Sequence, residues 1–227
     1  MYYILFIAIA LVSYLVQANL KRKFDAYSRV PLSSGLTGRE VAEKMLHDNG
    51  IYNVQVTCTQ GYLTDHYNPT NGTVNLSEAV YNSRSVAAAA VAAHECGHAV
   101  QHAVAYGPLQ LRSALVPVVS IASNWVQWVL LAGIVLVQTF PGILLLGIIL
   151  FAMTTLFSFV TLPVEIDASR RATAWLQRAG ITTQRDHYMA VAALRSAAYT
   201  YVVAALGSLA TLIYYVLILL SGSRSRD

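Results

Sequence analysis

The residues with the clearest capacity for chemistry are His94-Glu95-Cys96-Gly97-His98. They lie in a proline-free, alanine-rich stretch from about Ser85 to Tyr106, which reads as a helix. On a helix, residues four apart project from the same face, one turn from each other. Two imidazoles so placed can share one tetrahedral zinc ion, and Glu95 leans over the place where a metal-bound water would sit. Zinc lowers the pKa of such a water to about 7. A neighbouring carboxylate can then accept the proton and pass it to a leaving amine. The pattern points to Zn2+ as cofactor and to Glu95 as the catalytic base of a hydrolytic reaction. The bland alternative is a helix carrying two surface histidines and an acidic neighbour.

Two histidines leave a third ligand to be found. A metzincin-type extension needs glycine at 101 and histidine at 104, and the chain has Gln101 and Val104, so that class is excluded. His102 lies a further turn along the same helix. Three histidines on successive turns spread too far to close on one small ion, so His102 reads as a polar neighbour of the site. Glu165, in Leu162-Pro163-Val164-Glu165-Ile166-Asp167-Ala168-Ser169, fits better, because it stands where an apolar stretch ends. His-His-Glu is an established catalytic zinc set; the alternative for Glu165 is a plain interfacial charge. Asp167 is expected either to orient a ligand imidazole or to pair with Arg170 or Arg171. Cys58 and Cys96 fit no cysteine-based metal motif and read as free thiols, with Cys96 serving packing.

The elements that must hold these residues are mostly apolar. Of the 227 residues, 56% are hydrophobic and only 11% charged, with mean hydropathy +0.51. Soluble domains carry about a quarter charged residues, so lipid is expected to cover part of this chain. Apolar stretches run over about 1–17, 113–137, 142–162 and 199–220. The middle two have the roughly 20 residues needed to span a bilayer and are joined by only four residues, as a hairpin. The first is followed by Lys21-Arg22-Lys23, the reverse of a signal peptide, and reads as an uncleaved anchor. Thirteen of the fifteen Lys and Arg residues fall in 21–112 and 164–198, which places both segments in the cytoplasm by the positive-inside rule. Asn124 and Gln127, inside the second stretch, are expected at a helix–helix contact.

The fold class expected is a mostly α, multi-pass integral membrane protein. About four transmembrane helices carry a small α+β, zincin-like cytoplasmic portion that holds the motif helix. Within a single peptidase domain the organisation is a first transmembrane helix over 1–20, a cytoplasmic segment over 21–112 and a transmembrane hairpin over 113–162. A second cytoplasmic segment over 163–198 supplies Glu165, the last transmembrane helix covers 199–220, and 221–227 form a polar tail. In the first cytoplasmic segment, Thr37-Gly38-Arg39-Glu40 has the pattern of a capping box and Asn49-Gly50 that of a helix stop. Residues 54–57 and 73–76 read as strands around a turn at 68–72, giving a two- or three-stranded sheet.

A net charge of +4, without a nucleic-acid module, argues against a nucleic-acid partner. An intramembrane protease, with the motif inside a spanning helix, is disfavoured by the polar groups that lipid would face. Transport is disfavoured by the scarcity of polar residues in the spans. A non-hydrolytic zinc-binding scaffold or regulator is separable from an enzyme only by assay.

Several blocks together resemble the bacterial YugP-type neutral zinc metallopeptidases. These are Ser77-Glu78 with Ser85, residues 92–101 around the motif, residues 162–169 followed by Arg171-Ala172, Asp65-His66-Tyr67-Asn68-Pro69, and Thr200-Tyr201-Val202. The likeness spans nearly the whole chain. That family is similar to the larger gluzincin group, with the HtpX-type and CAAX prenyl proteases. There a glutamate in an E-x-x-A context is the third zinc ligand, matching Glu165 and Ala168. Those relatives usually have aspartate next, where this chain has Ser169. The resemblance implies a zinc-dependent membrane endopeptidase facing the cytoplasm, with peptide or membrane-protein substrates and the lipid bilayer as its partners. It also implies an upstream edge strand that holds the substrate backbone, for which Val74–Leu76 is the candidate. A separate donor must stabilise the oxyanion; Tyr201, with His187 as alternate, is the residue singled out, against the plainer reading of Tyr201 as an interfacial anchor.

Overall fold

The computed structural model describes residues 2–224. In chain order the elements are α1 (Tyr2–Tyr27), α2 (Gly38–Asp48), β1 (Gln55–Thr59), β2 (His66–Asn68), β3 (Thr73–Ser77) and α3 (Glu78–Tyr81). They continue with α4 (Val86–Ala103), α5 (Gly107–Val135), α6 (Pro141–Arg178) and α7 (Gln184–Arg224). The chain divides into two compact units. One comprises Met1–Leu109 with Pro163–Thr200; the other comprises Gln110–Leu162 with the chain from Tyr201 onward.

The first unit is built around α4. Ser85 caps this helix by accepting the Ala88 amide at 3.2 Å. Its alanines are buried almost all round, with Ala87 to Ala90, Ala92, Ala93 and Ala99 each no more than 1% exposed. Small side chains on every face let neighbours approach closely, which suits a helix at the centre of a unit. Against it packs α2, whose buried stripe is Val41, Ala42, Met45 and Leu46. The start of α2 is fixed by the capping box between Thr37 and Glu40, with both reciprocal bonds present. It stops at Asn49, and Gly50 turns the chain away at φ 71°.

The sheet has the order β1-β3-β2. β1 runs parallel to β3, pairing Val56 with Val74, while β2 runs antiparallel, pairing Tyr67 with Val74. Val74 and Leu76 are fully buried. This corrects one expectation: Val74–Leu76 are not an edge, because β3 is paired on both sides. The edge beside α4 is the three-residue β2, too short to leave an alternating pattern in the sequence.

Among the described residues, four helices are long and apolar enough to cross a membrane: Ile4–Tyr27, Gly107–Val135, Pro141–Arg178 and Gln184–Ser221. Two of them are longer than the apolar stretches suggest, since α6 continues through Pro163 to Arg178 and α7 begins at Gln184. Glu165 therefore sits within a helix. In the second unit α5 and α6 meet at glycines: a Cβ on Gly133 would lie 2.5 Å from Leu144 Cα, and one on Gly147 2.8 Å from Leu130 Cδ2. The buried face of α5 carries Val119, Ala122, Leu130 and Gly133. Asn124 and Gln127 fall on the other side and are exposed, so they do not make the helix–helix contact expected of them. The polar tail expected over 221–227 is helical as far as Arg224, and 225–227 lie outside the described residues.

Candidate metal centre

Helix α4 presents His94 and His98 one turn apart, with ring centroids 4.8 Å apart and planes at 81°. Helix α6 crosses beside it and supplies Glu165. Its Oε2 lies 3.3 Å from His94 Nε2 and 3.6 Å from His98 Nε2. One ligand atom from each of the three residues falls within a cluster no wider than 4.8 Å. Tetrahedral zinc with ligand distances near 2.0–2.1 Å separates neighbouring donors by about 3.3 Å, so the oxygen-to-nitrogen spacings suit it. Two neutral imidazoles and one carboxylate are also the donor chemistry that zinc accepts.

The close approach of the two helices depends on small residues. A Cβ on Gly97 would lie 2.6 Å from the carbonyl oxygen of Ala168. Glycine inside the motif and alanine three residues after Glu165 thus let the backbones meet, and this brings a carboxylate on α6 to two imidazoles on α4. Ala168 is fully buried, Glu165 is 3% exposed and His98 8%.

Each imidazole is held from behind. His94 Nδ1 pairs with Ser169 Oγ at 3.1 Å, and His98 Nδ1 lies 3.1 Å from Gln101 Oε1. Ser169, one residue beyond the Ala168 contact, thus reaches the first histidine from α6. The Gln101 amide is oriented unambiguously, because its Nε2 donates to Val164 O at 2.8 Å and to Asp167 Oδ2 at 2.9 Å. Both of those partners only accept, so Oε1 must face His98 and His98 Nδ1 must carry the proton. That leaves the Nε2 lone pair of His98 free to bind a metal. Asp167 reaches the site through Gln101 instead of touching an imidazole, and it also pairs with Arg171.

Glu95 is 9% exposed, and its Oε2 accepts the backbone N–H of Tyr67 at 3.1 Å. The edge strand β2 thus touches the carboxylate next to the first histidine. The Tyr67 hydroxyl lies 3.1 Å from His102 Nδ1, so His102 faces β2 and is not among the gathered ligand atoms. Asp65, just before β2, accepts the Ser77 amide at 2.7 Å and its hydroxyl at 3.1 Å, tying the start of β2 to the end of β3. Burial pushes the Asp65 carboxyl up, the Ser77 bonds pull it back in part, and the charge of Glu95 adds to the rise. Burial opposes protonation of His98, but the Glu165 and Glu95 carboxylates outweigh it and hold the imidazole above its ordinary value. Cys96 points away, its Sγ 3.5 Å from Ala42 O; burial, with Glu95 nearby, raises its thiol far above the usual range.

His94, His98 and Glu165 are therefore brought together, with Glu95 alongside. Tyr201 lies on α7 in the second unit, and His187 lies near the start of α7 with Nδ1 buried and without a hydrogen-bond partner among the described residues. The supporting role of Gln101 is not read from the motif. Its signal is a fully buried polar side chain one turn beyond His98, next to apolar Ala99 and Val100.

The described residues thus combine a largely buried His-His-Glu donor set that could hold a metal ion with four helices long and apolar enough to cross a membrane. The chain matches the family described as "Putative neutral zinc metallopeptidase" over residues 2–220, and it belongs to that family. A protein of Bacillus subtilis (strain 168) described as "Putative membrane protease YugP" is 44% identical over 210 residues, covering 92% of each chain. No solved structure matches the chain. The family name makes zinc the metal implied for a site whose donors fit it.

Proposed function

We propose that the chain is a membrane-embedded zinc-dependent endopeptidase of the gluzincin type, which hydrolyses peptide bonds of membrane or membrane-associated proteins. The observation that carries this reading is the convergence of His94, His98 and Glu165 within 4.8 Å, with the Glu95 carboxylate one residue from the first ligand. His94, His98 and Glu165 would hold the ion, which when bound supplies a Lewis acid and an acidified water. Glu95 is the general base: its carboxylate takes the proton from the attacking water and returns it to the departing amine. The Tyr67 amide aims Glu95 by holding Oε2. Ser169 and Gln101 fix the two imidazoles so that their Nε2 atoms face the site.

An extended substrate has a natural place along β2, the edge strand beside α4, where added backbone hydrogen bonds align a peptide. Tyr201 is retained as the proposed oxyanion donor. The chain sits in the bacterial inner membrane with the site toward the cytoplasm. This is supported by thirteen of fifteen basic residues lying in 21–112 and 164–198.

The deciding experiment compares detergent-purified wild type with Glu95→Gln for zinc content and for cleavage of casein. The expected result is equal zinc in both and hydrolysis by wild type alone. Equal cleavage by both proteins would sink the assignment of Glu95. A wild type that binds zinc but cleaves neither casein nor a reconstituted membrane protein would favour a non-hydrolytic scaffold.

A further inference from the structure

The loop between β1 and β2 has no place in the catalytic reading, and its chemistry is unusual for a loop in water. Its tip carries Tyr62 and Leu63, 53% and 51% exposed. Leu63 adopts φ 58°, a left-handed conformation that a branched apolar residue avoids, next to Gly61 at φ 114° and Tyr62. Such outliers persist where the surroundings hold them, and they cluster where a segment has a task. The surroundings here are α1. The Tyr62 hydroxyl donates to Asp25 Oδ1 at 3.2 Å, and its ring meets Phe24 edge-on at 6.0 Å.

Between this loop and α1 runs a groove of about 540 Å³ lined by Tyr14, Gln17, Leu20, Lys21, Tyr62 and Leu63. That volume is in the range of ligand pockets. The depth of the groove follows from helix geometry. Tyr14 lies seven residues before Lys21, roughly 10 Å toward the apolar end of α1 at 1.5 Å per residue. The groove therefore crosses the level of the first basic residue, its lining reaching from Tyr14 on the apolar side to Phe24 on the polar side, where Tyr62 meets the helix. Near that level α1 also carries Arg22, on an adjoining face of the helix with Asp25, and Arg29 follows just past the helix end. Apolar walls in the groove and the Lys21 ammonium among them match the two ends of an anionic phospholipid. The groove is also continuous with a helix that is long and apolar enough to span the membrane and whose apolar window is 0% buried in the chain.

We propose that the 60–64 loop is seated in the membrane interface, with Leu63 among the acyl chains, and that the groove beside α1 holds an anionic phospholipid whose phosphate rests on Lys21. The seat fixes the height of the site. Tyr67 follows Leu63 by four positions, no more than about 14 Å of extended chain, and the Tyr67 amide holds Glu95. Resting on the peptidase reading above, this places cleavage in the stretch of substrate nearest the membrane surface.

The test uses the unmodified chain in vesicles of mixed phosphatidylcholine and phosphatidylglycerol, with a phosphatidylglycerol probe bearing a photoactivatable group in its acyl chain. Peptide mapping is expected to find adducts on Tyr62–Leu63 as well as on Tyr14–Leu20. Adducts on α1 with none on the loop would overturn the proposal and point to protein covering the groove. A phosphatidylcholine probe, whose phosphate is offset by its own quaternary ammonium, should label the loop less; equal yields would refute selection of an anionic headgroup at Lys21. As a second readout, Leu63→Cys in a Cys58→Ser background is labelled with an environment-sensitive fluorophore. Its emission should shift to the blue and be lost to an acyl-chain quencher, while a label at Tyr52→Cys should respond to an aqueous quencher. Identical behaviour at both positions would refute the seat. Neither measurement involves hydrolysis or metal, so failure here is separable from failure of the peptidase reading.

Discussion

Replacing Gln101 with methionine should loosen zinc without unfolding the protein. Gln101 is fully buried and bonds His98 Nδ1, Val164 O and Asp167 Oδ2 at 3.1, 2.8 and 2.9 Å. Methionine fills nearly the same volume, so little cavity or overpacking cost is added. Val164 O sits inside α6 and keeps its helical partner, while Asp167 keeps Arg171. The group left unmet is the His98 Nδ1–H, and a buried donor without a partner costs about 1–3 kcal/mol. In the metal-bound state this cost, together with the freed ring orientation, should weaken zinc binding about 10- to 100-fold, the range usual for loss of a ligand's supporting partner. The assay is competition with a chromogenic zinc chelator, run beside thermal unfolding of the metal-free protein to show that the fold survives. Gln101→Glu is an informative companion, because it keeps an acceptor for His98 but loses both donors and sets a second carboxylate against Asp167. It should therefore loosen α6 from α4 more than Gln101→Met does. Wild-type zinc affinity in Gln101→Met would refute the reasoning.

Three further outcomes follow from the same geometry. Gly97→Ala places a Cβ 2.6 Å from Ala168 O, and should cost about 1–3 kcal/mol by overpacking. It should also part Glu165 from the histidines, so melting temperature and bound zinc fall together; a change in neither would contradict the helix contact. In the native protein only Cys58, which is exposed, should react with a thiol reagent, while buried Cys96 reacts on denaturation. Two fast thiols in a native titration would contradict that burial. Zinc affinity should fall as the pH is lowered, and the fall should begin above histidine's ordinary 6.5, because the metal-free site holds the His98 proton more tightly than usual. Chelator competition across a pH series reads this directly. The sign for stability is opposite in the metal-free protein. Since the folded-state value of His98 is raised, its contribution is fully present at acid pH and is lost as the pH rises through that value.

Much of the site is legible in the chain because its chemistry is local. His94 and His98 share a helix face by spacing alone, and Glu95 is beside them whatever the rest of the fold does. The starts and stops of α2 are equally local, written in Thr37, Glu40 and Gly50. The four apolar helices follow from hydropathy, which needs no tertiary information.

What required the tertiary structure is everything that depends on two segments meeting. The sequence can nominate Glu165 but cannot bring its Oε2 to 3.3 Å from His94; that depends on Gly97 seating against Ala168 across 71 residues of chain. The choice of edge strand inverts for a similar reason. β3 has the stronger strand pattern, but its burial comes from having partners on both sides, which leaves the three-residue β2 to face α4 and hold Glu95 through a backbone amide. A backbone donor has no residue type to recognise. The exposed positions of Asn124 and Gln127 likewise depend on which face of α5 the glycine contact with α6 selects. Residue types and short spacings thus determined the chemistry this chain can do, and the packing of α4 against α6 and β2 decided which residues assemble to do it, because contacts between segments far apart in sequence depend on shape, which no local pattern encodes.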